Sequence, residues 1–206
     1  PALQPVRSFA LNGFRGLLIV VAIAVGVAAY YWFVHTDVEA STFERIVIDK
    51  TGPRAPWGKT SGDLNGDGLP DIIVGGNESK ELVWYAAPDW RKSPIARGPS
   101  FATDHAVADI DRDGRNDVVS LTRERVVWYR SPDWQFTVVD EIRLHDIEAA
   151  DLDGDGDVDL IGRDQSAFGG DAETVYLYRQ DAPGKWQRFK LHGPNGEGLL
   201  VADLNG

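Results

Sequence analysis

Two patterns of hydrophobic positions divide the chain. Residues 17–34 (LLIVVAIAVGVAAYYWFV) form one apolar stretch without a charge, which as a helix rising about 1.5 Å per residue nearly spans a bilayer core. After residue 43, apolar residues come instead in short runs separated by Gly, Pro, Asp and Asn, a pattern typical of β-strands joined by turns. The two patterns predict one apolar helix followed by an all-β region.

The apolar stretch has the flanks of a transmembrane helix. Arg7 and Arg15 precede it, acidic residues follow it, and an aromatic cluster (YYWF, residues 30–33) stands at its end, where an aromatic belt would lie. By the positive-inside rule the N-terminus is cytoplasmic and the remainder is periplasmic or extracellular. The alternative is a cleavable signal peptide, although the apolar run is longer than a usual signal core of about 7 to 15 residues.

The position of this stretch gives a plan of the domains. We expect a cytoplasmic segment over residues 1–15, a single-pass transmembrane helix over 16–35, a linker over 36–42, and a β-domain over 43–206 whose C-terminus is truncated. Ala22 and Gly26 have the small-xxx-small spacing that lets another helix approach closely. We therefore expect integral membrane protein subunits as partners.

Three acidic stretches in the β-region can be superimposed. They are DLNGDGLPD at 63–71, DIDRDGRND at 109–117 and DLDGDGDVD at 151–159, and a fourth copy (DLNG) begins at Asp203. Successive copies start between about 42 and 52 residues apart, in the range of solenoid and propeller repeats. The spacing predicts three like structural units and the start of a fourth.

Each acidic stretch is followed by the pattern of three further strands. A short apolar run comes first, and a second run follows as LVWY from Leu82, VVWY from Val126 and VYLY from Val175. PDW then recurs at 88–90 and 132–134, and a strand-like run closes the unit. Together with a strand before the loop, this is the content of one propeller blade. We predict an all-β fold, a β-propeller of four-stranded blades with about three and a half repeats, preceded by a single transmembrane α-helix.

Large aromatic residues recur at equivalent positions of the repeats. Trp84 corresponds to Trp128, and Tyr85 corresponds to Tyr129 and Tyr178. They could form a row on which carbohydrate stacks. We favour packing between blades, because aromatic residues that recur once per blade fill the space between adjacent sheets.

The acidic stretches have the composition of calcium-binding loops. Asp or Asn at positions 1, 3, 5 and 9, with the carbonyl of position 7, gathers oxygen ligands around one point. Carboxylates this close repel one another unless a cation neutralises them, so a solvated turn is the weaker interpretation. The predicted Ca²⁺ ligands are Asp63, Asn65, Asp67, Leu69, Asp71, Asp109, Asp111, Asp113, Arg115, Asp117, Asp151, Asp153, Asp155, Asp157 and Asp159.

The predicted metal role is structural. An EF-hand is excluded, because the loops have neither flanking helices nor a Glu at position 12. Each complete loop would hold its own Ca²⁺, whereas a catalytic metal would more often occur once.

These loops, with the recurring VVWY and PDW, resemble the VCBS or FG-GAP repeat family, whose calcium-loop propellers include the integrin α-subunit head. The resemblance covers about residues 43–206, and it implies a propeller with calcium on the Asp residues named above. The VCBS-type pattern fits better, because a Phe-Gly-Gly-Ala-Pro-like element is not evident. Membership does not imply an activity, since the fold serves adhesion, scaffolding and some polysaccharide lyases.

Three repeats and a fragment do not close a ring of the usual 4 to 8 blades. TFERIVIDK, from Thr42, resembles the last strand of a repeat, as in KWQRFKLHG from Lys185. We predict that residues 43–49 pair with a C-terminal segment beyond residue 206. The alternative is a partial propeller completed by another subunit, which would make the same strand edge an interface.

Composition and single residues narrow the functional class. The net charge of −11 argues against a nucleic-acid partner, and the lack of Cys excludes disulfides and thiol chemistry. No nucleophile elbow, phosphate loop or dinucleotide fingerprint is present. The histidines are His35, His105, His145 and His192, of which His105 or His145 could face the central channel. A lyase or hydrolase could use such a His with Arg123, Arg125 or Arg143 to handle an acidic sugar. Hydrogen bonding to neighbouring blades is the commoner role of propeller histidines, so we expect no enzyme activity and rank a polysaccharide lyase or hydrolase last.

The favoured function is therefore a membrane-anchored, extracytoplasmic, calcium-binding propeller. It would act as a non-catalytic scaffold or accessory subunit of a larger respiratory, photosynthetic or transport complex. The alternative is a surface adhesion or glycan-binding module with a glycan as partner. That alternative predicts exposed aromatic residues on the connecting loops, with Trp57, Trp90 and Trp134 as candidates.

Overall fold

The computed structural model describes residues 44–164, 174–193 and 198–204. These residues form strands and no helix. The strands are β1 (Pro56–Gly62), β2 (Asp71–Gly76), β3 (Glu81–Ala86), β4 (Arg91–Arg97), β5 (Phe101–Ala108), β6 (Asp117–Thr122), β7 (Val126–Arg130), β8 (Gln135–Asp140), β9 (Asp146–Ala150), β10 (Asp159–Arg163), β11 (Thr174–Ala182) and β12 (Lys185–His192). They form three four-stranded antiparallel sheets in chain order: sheet 1 (β1–β4), sheet 2 (β5–β8) and sheet 3 (β9–β12). The prediction of an all-β region with four strands per repeat is confirmed.

The predicted membrane segment lies outside the described residues. Residues 1–43 would hold the cytoplasmic segment, the transmembrane helix and the linker, so these stay predictions. Within the part of the chain that the structure describes, no helix is long and apolar enough to cross a membrane. All the described strands belong to one compact unit, residues 48–206.

The three sheets share one register around the acidic loop, which joins the first strand of each sheet to the second. The pairs between the end of the first strand and the ninth loop residue are Gly62–Asp71, Ala108–Asp117 and Ala150–Asp159. On each third strand, the recurring Tyr (Tyr85, Tyr129 or Tyr178) pairs with the residue that follows that Asp. The equivalence of the repeats predicted from the sequence therefore holds in the sheet register.

The hydrophobic core lies between neighbouring sheets. Leu82, Phe101 and Tyr129 pack together between sheets 1 and 2, and Trp128 and Tyr178 pack between sheets 2 and 3. Burial of such apolar and aromatic area is the main favourable contribution to folding. The recurring aromatic residues are 3 % (Tyr85), 7 % (Trp128), 4 % (Tyr129) and 1 % (Tyr178) exposed, and Trp84 is partly buried. Their prediction as core residues rather than a carbohydrate-stacking row is confirmed.

The described sheets form no closed barrel. Sheet 1 packs on sheet 2 through β1 and β5, and sheet 2 packs on sheet 3 through β5 and β9. Residues 44–49 lie in no strand, and Ile46 and Val47 are 68 % and 48 % exposed. The partner predicted for residues 43–49 lies beyond residue 206, so the completion of a blade stays a prediction.

Candidate metal centre

The three acidic loops lie side by side at one end of the sheets. They are the first loop (63–71), the second loop (109–117) and the third loop (151–159). The side-chain amide of Asn116 donates to the main-chain carbonyl of Asp63 at 2.8 Å. The guanidinium of Arg112 lies 2.8 Å from the carboxylate of Asp157. The second loop therefore contacts both of its neighbours.

The first Asp of each loop orders the loop backbone. Asp63 accepts the main-chain N–H of Gly66 and of Gly68, at 2.7 and 2.8 Å, and Asp109 and Asp151 accept the N–H of their own sixth-position glycine. That glycine has a φ of 83°, 87° and 90° in the three loops, which L side chains rarely adopt. The N–H of Gly68 is the largest cause that lowers the pKa of Asp63, so the backbone favours the charged carboxylate.

The structure gathers carboxylates in the second and third loops. The groups whose ligand oxygens lie within 4.8 Å of one another are Asp109, Asp111 and Asp113, and Asp151, Asp153 and Asp159. Oxygen donors at this separation suit a hard cation such as Ca²⁺. The Oδ1 atom of Asp111 is buried without a hydrogen-bond partner, an arrangement that costs free energy unless a cation compensates it. The donors in these two loops therefore fit Ca²⁺.

The first loop is less acidic than the other two. Asn65 replaces the third-position Asp, and its side chain bonds within the loop: Nδ2 donates to Oδ2 of Asp67 at 3.0 Å, and Oδ1 accepts the N–H of Asp67 at 2.9 Å. Among the described residues, the acidic side chains of this loop form no group of three like those above. The predicted ligands Asp63, Asn65 and Asp67 are nevertheless held together by their bonds within the loop.

The ninth-position Asp of each loop has a role that the sequence pattern did not reveal. Asp71, Asp117 and Asp159 are 0, 1 and 1 % exposed. One carboxylate oxygen accepts the N–H of the residue at position 2 of its own loop. The other oxygen accepts the N–H of the residue two positions after the recurring Tyr of the same sheet. For Asp117 these donors are Ile110 and Ser131, at 3.3 and 2.7 Å. The ninth Asp thus ties its loop to the end of the third strand, apart from any role as a ligand.

Burial controls the ionisation of these ninth-position carboxyls. It raises the pKa of Asp117 to about 6 and also raises the pKa of Asp159, because the charged form loses hydration. The N–H groups of Ser131 and of the Trp128 indole donate to Asp117 and oppose this shift. A carboxylate oxygen has two lone pairs, so these bonds leave acceptor capacity for a cation.

The seventh-position residues were predicted to offer their main-chain carbonyls. The structure shows that the N–H groups of Leu69, Arg115 and Asp157 donate to the fifth-position Asp of the same loop, at 2.9, 3.0 and 2.9 Å. These bonds restrain the chain at the seventh position. The carbonyl contacts with Ca²⁺ stay a prediction.

His105 is a buried structural residue. It is 2 % exposed, its Nδ1 lies 2.9 Å from Oγ of Ser120, and its ring packs against Gly58 and Gly75, which face each other on β1 and β2. Burial lowers its pKa to about 4, so the ring is neutral at neutral pH. His105 therefore packs sheet 2 against sheet 1, while the hydrogen bond of its Nδ1 stays within sheet 2.

Arg123, Arg143 and His145 come together at the strand ends opposite the acidic loops. With Asn77 they line a small pocket. Nε of Arg123 donates to Oδ1 of Asn77 at 3.1 Å, and Nδ1 of His145 lies 3.0 Å from Oδ1 of Asp146. The remaining arginine, Arg125, pairs with Glu141 at 3.3 Å, and His192 is exposed at the end of β12. His35 is outside the described residues. Among the described histidines, His105, His145 and His192 thus do not form one site.

The tryptophans proposed for glycan binding have different environments. Trp57 is 50 % exposed, whereas Trp90 and Trp134 are partly buried. Trp134 lines a groove of about 460 Å³ between sheets 1 and 2. Phe136 lines the same groove, is 65 % exposed, and has its ring centroid 6.3 Å from that of Tyr129. This groove offers aromatic faces at the surface.

Comparison with known families supports the repeat assignment. Residues 63–120 and residues 109–162 each match the model of the FG-GAP-like repeat. The two matches overlap at the second loop and together contain all three acidic loops. They support the FG-GAP-like repeat family, to which the loops are similar. No curated protein matches the chain in sequence.

Proposed function

We propose that this chain is a calcium-stabilised, β-propeller-like module that acts as a non-catalytic scaffold or accessory subunit of a larger membrane protein complex. The observation that carries the proposal is the row of three acidic loops, one per sheet, in contact through Asn116 and Arg112. The matches to FG-GAP-like repeats support the propeller-like module. A repeated sheet architecture presents a rigid surface for binding and implies no reaction by itself.

Calcium would act in this module by stabilising the folded loops. Its ligands would be the side chains at positions 1, 3, 5 and 9, with the carbonyls of Leu69, Arg115 and Asp157. The bound cation supplies positive charge that offsets the repulsion between gathered carboxylates. Because the unfolded chain does not gather these oxygens, the free energy of binding adds to the free energy of unfolding.

Thermal unfolding of the full chain tests the calcium role. We expect Tm to rise with Ca²⁺, because a ligand that binds only the folded state stabilises it by about 2.7 kcal/mol at 100 times its Kd. Mg²⁺ at the same concentration is the matched control and should stabilise less, since it requires near-octahedral geometry and retains its waters. An identical Tm in Ca²⁺ and in chelator would refute the role.

The scaffold role also uses the N-terminal apolar stretch. Residues 16–35 would anchor the chain in a membrane, with the sheets on the periplasmic or extracellular side. The test is gentle solubilisation of native membranes, capture of the chain, and mass spectrometry with and without chelator. Stoichiometric recovery of integral membrane subunits, lost on chelation, would support an accessory subunit whose contact depends on calcium. Recovery of the chain alone would contradict the scaffold role.

Glycan binding is a second candidate function, favoured by the groove between sheets 1 and 2. The groove combines the aromatic faces of Trp134 and Phe136 with the guanidinium groups of Arg97 and Arg125. Apolar faces of sugar rings can pack on such aromatic side chains, and the guanidinium groups can donate to their hydroxyls. Binding on a glycan array that is lost in Phe136→Ala and retained in Trp57→Ala, outside the groove, would favour this function. An array without any binding would exclude it for the glycans tested.

A further inference from the structure

The second loop carries its own counter-charges. Nε of Arg130, which ends β7, lies 2.6 Å from Oδ2 of Asp111, and its second nitrogen lies 4.0 Å from Asp113. Arg115, within the loop, contacts the same Asp113 carboxylate at 2.8 Å. The Asp111 side chain is only 8 % exposed, and that of Arg130 is 52 % exposed. Two guanidinium groups therefore already neutralise the middle carboxylates of this loop.

The third loop provides an internal comparison. Its predicted side-chain ligands are four Asp residues, as in the second loop. The residue equivalent to Arg130 is Arg179, since each directly follows the recurring Tyr of its sheet. Arg179 instead pairs with Asp181 at 3.1 Å, and its guanidinium lies over the ring of Phe189. The guanidinium of Arg112 contacts the third loop at Asp157, which is predicted to offer its main-chain carbonyl and not its side chain. Among the described residues, the ion pairs join no guanidinium to the predicted side-chain ligands Asp151, Asp153, Asp155 and Asp159.

We propose that Arg130 and Arg115 are internal counter-cations that make the second loop a weaker Ca²⁺ site than the third loop. This inference rests on the proposed calcium function. Ca²⁺ must displace these guanidinium groups or share carboxylates with them, and like charges at such short range repel. Because calcium affinity follows the net ligand charge, loops with the same Asp ligands load at different Ca²⁺ concentrations.

Isothermal titration of the full chain with Ca²⁺ tests the proposal. The wild-type chain should show a weaker site that becomes at least about tenfold tighter in Arg130→Gln. Arg115→Leu should act in the same direction, because it introduces the residue of the first loop and keeps the main-chain carbonyl. Arg179→Gln is the matched control and should leave every affinity unchanged.

Second variants assign the gain to a loop. Asp109→Asn, added to Arg130→Gln, should abolish the tightened site, whereas Asp151→Asn should remove a different site and leave the tightened one. Circular dichroism of each variant confirms folding, and Arg115→Leu carries the same test if Arg130→Gln does not fold.

Two results would overturn the inference, and they differ from each other. Ca²⁺ binding that is unchanged by both Arg130→Gln and Arg115→Leu would refute the counter-cations and leave the calcium function standing. A wild-type chain and variants that all fail to bind Ca²⁺ would refute the calcium function, and the inference with it.

Discussion

The phenol of Tyr85 donates to Oδ2 of Asp49 at 2.8 Å, and in the third sheet Tyr178 donates to Oδ2 of Asp140 at 3.0 Å. In both sheets a basic residue of the fourth strand lies beside the Tyr and also contacts the Asp. Lys92, beside Tyr85, contacts Asp49, and Arg188, beside Tyr178, contacts Asp140. Asp140 ends the last strand of the preceding sheet. Asp49 therefore has the contacts of a residue that ends a preceding blade, which favours the prediction that residues 43–49 belong to such a blade.

Removing the phenol hydroxyl should weaken both contacts equally. We expect Tyr85→Phe and Tyr178→Phe each to lower the free energy of unfolding by about 1 kcal/mol, because each loses a hydrogen bond to a carboxylate and keeps the packing of the ring. Urea unfolding measures this. Tyr129→Phe is the matched control, since Tyr129 pairs with Phe136 rather than with a basic residue. Unequal losses at Tyr85 and Tyr178 would argue against the equivalence of Asp49 and Asp140.

The contact of Asn116 with the Asp63 carbonyl should couple sheets 1 and 2. Asn116→Ala removes the only donor in this contact and should lower the free energy of unfolding by about 1 kcal/mol. Asn116→Asp should cost more, because a carboxylate placed against a carbonyl oxygen cannot donate and is repelled by it. Urea unfolding in chelator isolates the contact from metal binding. An Asn116→Asp variant as stable as Asn116→Ala would contradict this account.

Within the third loop, replacing the Asp at position 9 and replacing the Asp at position 3 should change stability differently when no metal is bound. In chelator, Asp159→Ala leaves the N–H groups of Leu152 and Gln180 without their acceptor and should lower the free energy of unfolding by about 3 kcal/mol. Asp153→Ala should change it little or raise it, because one of the gathered carboxylates is removed. Equal changes in urea unfolding would mean that the hydrogen bonds of the ninth-position Asp do not stabilise the metal-free fold.

The repeated loops and runs of the sequence predicted much of the fold, and the reason is visible in the register. The ninth-position Asp begins the second strand of each sheet, and the recurring Tyr lies beside that strand, on the third strand, so each of them recurs once per repeat in the sequence. The bonds of that Asp were not predictable. Apart from the Trp128 indole on Asp117, its donors are main-chain N–H groups, such as those of Ala87, Ser131 and Gln180, so the side chains of these donors follow no pattern.

The contact of Arg130 with the second loop was equally inaccessible to sequence reasoning. Arg130 and Arg179 occupy the same position after the recurring Tyr, and only their surroundings in the folded chain differ. The acidic clusters could therefore be located from the spacing of their Asp residues, whereas the guanidinium groups that contact them depend on the tertiary structure.

The glycines beneath His105 should resist substitution. A Cβ added at Gly58 or Gly75 would overlap the imidazole ring, so Gly75→Ala should lower the free energy of unfolding by roughly 2 kcal/mol through overpacking. In a His105→Ala background the same substitution should cost less, because the ring is gone. A double-mutant cycle in urea measures the coupling. A cost that is the same in both backgrounds would show that the ring does not determine it.

The buried imidazole of His105 should also make stability depend on pH. Burial lowers its pKa from 6.5 to about 4, so between these values the unfolded chain binds a proton that the folded chain does not. The contribution of His105 to the free energy of unfolding is therefore fully present above about pH 6.5. It falls as the pH drops toward 4, by up to ~3 kcal/mol. Asp117, whose pKa is raised to about 6, acts with the opposite sign, because the folded chain binds its proton first.

Comparing variants separates these two groups. His105→Gln cannot be protonated, so between pH 7 and pH 5 it should lose less of its free energy of unfolding than the wild-type chain, while the contribution of Asp117 stays the same in both. Urea unfolding at several pH values gives the profiles. Parallel profiles for His105→Gln and the wild-type chain would mean that His105 is protonated in the folded state as readily as in the unfolded one.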